Sequence, residues 1–185
     1  RLVAPALRFF EVDTPASQAA KRDRLASLGD YPGQPVMVAC DFEHQRVDEV
    51  LQAAGFEAGQ PSLLIWEGVN YYLPAPVVAD ALRSYAGLIR GGGELVFDVL
   101  RPGLAGGRGD ASVAGSRELL SAVGEPVRSG LADPLPVLVE AGFGWVRTQT
   151  FEEVCLALTG SYDATRRFKH QSLCRARVVP PASRL

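Results

Sequence analysis

The sequence predicts an α/β fold: an open, mostly parallel sheet with helices on both faces and an antiparallel edge. Three observations carry that expectation. Short β-branched and aromatic runs recur, and most are followed by a stretch of helical composition. Each strand–helix unit takes roughly 25–30 residues, the length a parallel crossover needs. The last two strand-like runs are joined by less helix, which suits an antiparallel addition at one edge of the sheet.

The elements follow in order. "ALRFFEV" (6–12) has strand character and stops at "DTP", where Thr14 is suited to cap a helix and Pro15 to occupy its first turn. "ASQAAKRDRLASL" is helical in composition, and "GDYPGQP" closes it with turn residues. "VMVAC" (36–40) is the second strand, and "RVDEVLQAAG" the second helix, with Gly55 as its stop. "SLLIW" (62–66) is the third strand, followed by "PAPVVADALRSYAGLI", whose apolar spacing makes it the best amphipathic helix of the chain. "GGGELVFDVL" turns sharply into a fourth strand. "RPGLAGGRGDASVA" (101–114) is Gly-rich and aperiodic, and is expected to be a flexible loop. "SRELLSAVG" and "DPLPVLVEAGF" read as short helices, and "WVRTQTF" and "QSLCRARVV" as strands on either side of the helical "EEVCLALTG".

Composition narrows the function classes. With 185 residues, 47% of them apolar and 22% charged, the chain suits a single folded domain rather than a disordered segment. Its 19 basic and 21 acidic residues give a net charge of −2, which offers no electrostatic case for nucleic acid or an anionic membrane as partner. The 3 cysteines form no CxxC pair and are odd in number, so buried thiols in a reducing cytoplasm are expected. No apolar run approaches the ~18 residues of a membrane span.

The informative pattern lies at the ends of the first four strands, which read Val12-Asp13, Cys40-Asp41, Trp66-Glu67 and Phe97-Asp98. Ligands of open parallel sheets bind outside the carboxyl ends of the strands, so four carboxylates are expected to face one cleft. A carboxylate in such a place accepts both protons of a ribose diol. Turn formation and helix capping are the alternative reading of each acid taken singly, most directly for Asp13 and Asp41. Glu67 is harder to explain that way. It lies inside the apolar and aromatic run "LLIWEGVNYYL", where a buried charge is costly unless paired.

Taken together, "FFEVDTPASQAAKRDRL", "VACDFE", "IWEGVNYYLP" and "LIRGGGELVFDVL" resemble the leucine carboxyl methyltransferase family, and most closely its bacterial S-adenosylmethionine-dependent branch. The resemblance covers about Leu7 to Leu100 well and extends more weakly to the final strand. It implies a class I methyltransferase fold whose last two strands form the antiparallel edge, and S-adenosylmethionine as cofactor. It further implies that Asp13 binds the ribose hydroxyls, that Asp41 and Phe42 take the adenine, and that Glu67 lies by the methionine end. Asp98 receives no firm role from it. The family also carries a Gly-rich turn with an acid and an arginine after its first strand, just before the segment that opens this chain. Lacking that strand, the strands of Asp13 and Glu67 are expected to be unpaired on one side. The single domain 1–185 is therefore expected to be N-terminally incomplete, with residues upstream supplying the strand, or else a degenerate copy.

The resemblance implies an O-methyltransferase acting on a carboxyl or hydroxyl oxygen of a small molecule, polyketide-type products included, with residues 115–170 covering the substrate. Methyl transfer is an in-line displacement that rests mostly on positioning; a carboxylate acceptor needs no general base, whereas an alcohol or phenol benefits from one. Tyr71 and Tyr72 are candidate walls of the acceptor pocket, with core packing as the alternative. Arg128 in "GEPVRSG" is a candidate partner for an acceptor carboxylate, with an exposed salt bridge as the alternative. His44 is a candidate base whose other reading is a capping role, and His170 sits in a basic cluster that reads as a solvated face. No metal site is expected. Two rival readings stay open at this stage, a non-catalytic methyltransferase-like binding domain and another nucleotide-binding α/β enzyme such as a dehydrogenase.

Overall fold

The computed structural model describes residues 7–29, 33–100, 126–131, 133–161 and 171–179. The chain divides into two compact units, residues 1–58 and 59–185. The expected loop 101–114, the helix "SRELLSAVG" and His170 lie outside the described residues.

In the first unit, β1 (Phe10–Asp13) and β2 (Val36–Ala39) are parallel, with Phe10 opposite Val36 and Asp13 opposite Ala39. Between them runs α1 (Pro15–Leu25), which starts where the sequence indicates. The Thr14 hydroxyl accepts the Ser17 N–H at 3.3 Å, and Pro15 occupies the first turn, where its missing N–H costs nothing. Only Gln18 of α1 is buried, and its Nε2 donates to the Glu11 carbonyl at 3.0 Å. After β2 comes α2 (Val47–Ala53). Val47 and Leu51, four residues apart, share one helix face and join Val38 and Cys40 in the core. Phe56 then packs edge-on against Phe10, with ring centroids 5.4 Å apart.

The second unit holds β3 (Ser62–Trp66), α3 (Ala75–Leu88), β4 (Gly93–Leu100), α4 (Leu135–Ala141), β5 (Trp145–Thr150), α5 (Phe151–Thr159) and β6 (Gln171–Arg177). Its sheet has the order β3-β4-β6-β5, with β3 and β4 parallel and β6 antiparallel to both β4 and β5. The expected antiparallel edge is therefore present, with the last strand inserted between β4 and β5. The core is formed largely by α3 against the sheet: Val78, Leu82, Tyr85 and Leu88 are buried on it, and Trp66 meets Tyr85 edge-on at 5.1 Å. Burying a leucine such as Leu82 removes its side chain wholly from water, worth roughly 1.5–3 kcal/mol. The α3–β4 connection needs glycine for lack of room. A Cβ on Gly91 would stand 1.7 Å from the Gly59 carbonyl oxygen. At the other end of the unit, α5 opens with a capping box in which Thr150 and Glu153 satisfy each other's backbone N–H groups.

Two differences from the sequence reading concern the strand ends. β1 begins at Phe10, and β4 runs on to Leu100, so Asp98 lies within a strand and not at its end. The reason is β6, which pairs with β4 as far as Leu100 opposite Gln171 and so prolongs it. Among the described residues, β1 pairs with β2 and β3 with β4. On β3, Leu63 and Ile65 are 63% and 68% exposed, so one face of this strand is open. Among the described residues no helix is long and apolar enough to cross a membrane.

Candidate functional site

The four acids come as two adjacent pairs, one in each unit. In the first unit, the parallel register sets Asp13 at the end of β1 beside Ala39, and the Cys40 N–H donates to the Asp13 carbonyl at 2.9 Å. Asp13 and Asp41 therefore leave the carboxyl ends of neighbouring strands. Asp13 is exposed; its Oδ1 accepts the Thr14 N–H at 2.7 Å, and among the described residues none donates to the second carboxylate oxygen. The capping residue of α1 is Thr14, so the helix does not use up Asp13.

Asp41 is more fully engaged. Its Oδ2 meets His44 Nδ1 at 2.9 Å, and its Oδ1 accepts the Glu43 N–H at 3.0 Å. His44, then the Glu43 N–H, hold its carboxyl below the usual carboxylate range. A carboxylate has about four lone-pair directions, so two contacts leave it able to accept more. His44 is exposed and its ring lies against the Asp41 carboxylate, while the N-cap of α2 is Arg46, two residues further on. Phe42 is half-buried at the start of the same turn. Burial, then the charge of Asp41, push the neighbouring Cys40 thiol up to about 11, so it is a packing group and not a nucleophile.

In the second unit, Trp66 stands opposite Phe97, so Glu67 and Asp98 are side by side on neighbouring parallel strands. Their environments differ sharply. Glu67 is exposed, which corrects the expectation of a buried charge: among the described residues β3 pairs only with β4, and the carboxylate faces solvent just beyond it. Asp98 is the buried acid, 5% exposed. Burial first, then the charge of Glu67, push its pKa up, against hydrogen bonds from the Gly68 and Asn70 side of the turn.

Between these strands and α3 lies a 3-10 turn, Asn70–Tyr72. The Tyr71 and Tyr72 rings meet edge-on at 4.6 Å, and both are half-buried. Burial, then the charge of Asp98, raise the Tyr71 hydroxyl pKa well above its ordinary value. Tyr71 is thus a phenol at every physiological pH, a hydrogen-bond donor and not a base. The Tyr71 carbonyl accepts the N–H groups of Arg128 and Ser129 at 2.8 and 3.1 Å, which brings Arg128 to the tyrosine turn. Asn70 and Ser129 were not singled out in the sequence. The signal in hindsight is an amide inside an apolar run, "GVNYYL", where it must find partners. Among the described residues no group of three or more His, Cys, Asp or Glu is placed to hold a metal.

Comparison with known proteins bears out the resemblance. The family model for leucine carboxyl methyltransferases matches residues 1–86, a span that includes Asp13, Asp41, Phe42, Glu67, Tyr71 and Tyr72. A Mycobacterium ulcerans protein named "Putative S-adenosyl-L-methionine-dependent methyltransferase" is 33% identical over 101 residues, 54% of this chain and 33% of that protein. The chain thus spans about a third of the curated relatives it matches. Among solved structures, an O-methyltransferase family protein from Burkholderia thailandensis superposes over 96% of this chain and 45% of its own, with a TM-score of 0.60 at 16% identity. An O-methyltransferase of neocarzinostatin biosynthesis, solved with S-adenosylmethionine and 2-hydroxy-5-methyl naphthoic acid, covers 94% of this chain and 42% of its own, with a TM-score of 0.52 at 13% identity. The fold is that of the class I S-adenosylmethionine-dependent methyltransferases. Over residues 1–86 the chain is similar to the leucine carboxyl methyltransferases in particular.

Proposed function

We propose that the protein is an S-adenosylmethionine-dependent O-methyltransferase that modifies a carboxyl or hydroxyl oxygen of a small molecule. The observation that carries this reading is the pair Asp13 and Asp41, at the carboxyl ends of adjacent parallel strands within the stretch matched by the methyltransferase family model. The donor set fits such a cofactor. Asp13 has an exposed carboxylate whose second oxygen is free among the described residues, the group a ribose diol requires. Asp41 is held ionised and retains lone pairs for an adenine amine, with the half-buried Phe42 ring next to it. Glu67 is an exposed carboxylate suited to a cationic ligand group.

When bound, S-adenosylmethionine supplies an activated methyl group on a sulfonium. The residues of this chain then have to bind, orient and exclude water. Tyr71, protonated throughout, is suited to donate a hydrogen bond to an acceptor oxygen but not to remove a proton from it. We assign His44, bound to Asp41 through Nδ1, no part in the transfer. An acceptor that is already a carboxylate needs no base, so within this reading a carboxyl group is the better substrate. Arg128, carried beside Tyr71 by its backbone, is the cation we assign to that carboxylate.

The test is calorimetry of the full-length protein with S-adenosylmethionine and S-adenosylhomocysteine. Both ligands are expected to bind, and Asp13→Ala to weaken both by about tenfold or more while the fold survives, the loss of one charge-assisted bidentate contact. No heat at millimolar ligand would refute the reading. Unchanged affinity in Asp13→Ala would refute the ribose assignment alone.

A further inference from the structure

Asp98 has no part in the reading above, yet it is a buried acid next to an exposed one, and its contacts converge on a single turn. We propose that Asp98 is a positioning residue: its side chain holds the backbone turn that carries Glu67 and Tyr71, and it acts on ligand binding through them. The proposal rests on the methyltransferase reading for what Glu67 binds, but not for what Asp98 holds.

Three sets of contacts converge. Asp98 Oδ1 accepts the Gly68 N–H at 3.0 Å and Asn70 Nδ2 at 3.4 Å, and Asn70 Nδ2 also donates to the Asp98 carbonyl at 2.7 Å. One residue of β4 therefore grips the first and third positions after Glu67. The chain bends at Gly68, at φ +72, between Glu67 and the Asn70–Tyr72 turn that holds Tyr71. From the other side, the Ser129 hydroxyl donates to the Asn70 carbonyl at 3.1 Å, while Arg128 and Ser129 donate through their N–H groups to the Tyr71 carbonyl. Removing the Asp98 side chain would free the Gly68 N–H and leave the Asn70 amide only its bond to the carbonyl of residue 98, while the Val69 carbonyl stays held by the Tyr72 N–H and the Asn70 carbonyl by the Leu73 N–H and Ser129.

The chemistry of the site separates positioning from direct contact. At 5% exposure Asp98 is poorly placed to touch a ligand, whereas Glu67 is open. What Asp98 offers the turn is an acceptor oxygen at a fixed height above β4, and an amide oxygen offers the same. Asparagine should therefore rescue what alanine loses. A charge acting at a distance would give the opposite result.

The experiment compares Asp98→Ala and Asp98→Asn in the full-length protein. It measures Gly68 amide hydrogen exchange by NMR without ligand, and S-adenosylmethionine affinity by calorimetry with and without Glu67→Gln. Asp98→Ala should abolish protection of the Gly68 amide and weaken S-adenosylmethionine about tenfold, and Asp98→Asn should restore most of both. In the Glu67→Gln background, Asp98→Ala should cost clearly less than it does with Glu67 in place, because part of its effect passes through that carboxylate. An unprotected Gly68 amide in the wild type, or equal losses in the Ala and Asn variants, would overturn the proposal. So would an Asp98→Ala penalty that persists undiminished with Glu67→Gln. If Asp98→Ala does not fold, Asp98→Ser, too short to reach Gly68, replaces it. The exchange measurement needs no ligand, so a wild type that fails to bind S-adenosylmethionine refutes the methyltransferase reading while the turn is still tested.

Discussion

Gly68→Ala isolates the backbone contribution of the turn between Glu67 and Tyr71. Gly68 sits at φ +72, where an L-residue with a Cβ pays roughly 1–2 kcal/mol. Room is not the obstacle. The nearest atom to a Cβ there is the Tyr71 hydroxyl at 3.7 Å, an ordinary van der Waals contact. The substitution can keep φ positive and bear the strain, or flip to negative φ and withdraw the N–H from Asp98, leaving a buried acceptor short of a donor. Either way the cost is about 1–2 kcal/mol, which for a chain of this size lowers the melting temperature by about 2–8 °C. Asparagine tolerates the left-handed region better, so Gly68→Asn should lose about half as much. Differential scanning calorimetry gives the stability, and titration with S-adenosylmethionine gives the functional consequence, which should exceed the loss in stability because Glu67 is displaced directly. Unchanged melting temperatures in both variants would refute the argument. A greater loss for asparagine than for alanine would show that side-chain volume, and not backbone conformation, is the constraint.

Two further outcomes follow from ionisation and burial. Arg175, helped by Arg177, holds the Glu94 carboxyl at about 2, below its ordinary 4.5. A carboxyl with a depressed folded pKa stabilises fully above the unfolded value and loses that contribution as pH falls toward the folded one. Glu94→Gln should thus cost about 1 kcal/mol near neutral pH, a modest figure because both arginines face solvent, and the gap from wild type should close between about pH 5 and pH 2 in urea titrations. A gap that stays constant across that range would rule the ion pair out as its source. Among the thiols, Cys40 and Cys174 are wholly buried with pKa values raised by burial, while Cys155 is half-buried. Ellman's reagent at neutral pH should titrate Cys155 in the folded protein and the other two only on unfolding; prompt reaction of Cys40 would contradict its packing.

Local chemistry was readable wherever a signal spans only a few residues. Thr14 and Pro15 start α1, Gly55 follows the end of α2 at φ +89, and the apolar spacing of "VVADALRSYAGL" marks the face of α3 that is buried. Those features depend on capping, backbone freedom and helical period, which the chain states residue by residue. The acids after β1, β2 and β3 were legible for the same reason. Asp98 was misread as a strand end because β4 owes its last residues to β6, a strand more than seventy positions later.

The amino-acid sequence by itself determined the strands and helices, the carboxylates that follow the early strands and the family they resemble. Only the tertiary structure decided which acid is buried and which is open. Glu67 lies in an aromatic run and is exposed, because among the described residues β3 pairs only with β4; Asp98 looks no more apolar in context and is buried, because β6 and the Asn70–Tyr72 turn close over it. A run of neighbours in the chain predicts what is attached to a residue. Burial depends on what other parts of the chain bring against it, and the strand order β3-β4-β6-β5 settles that.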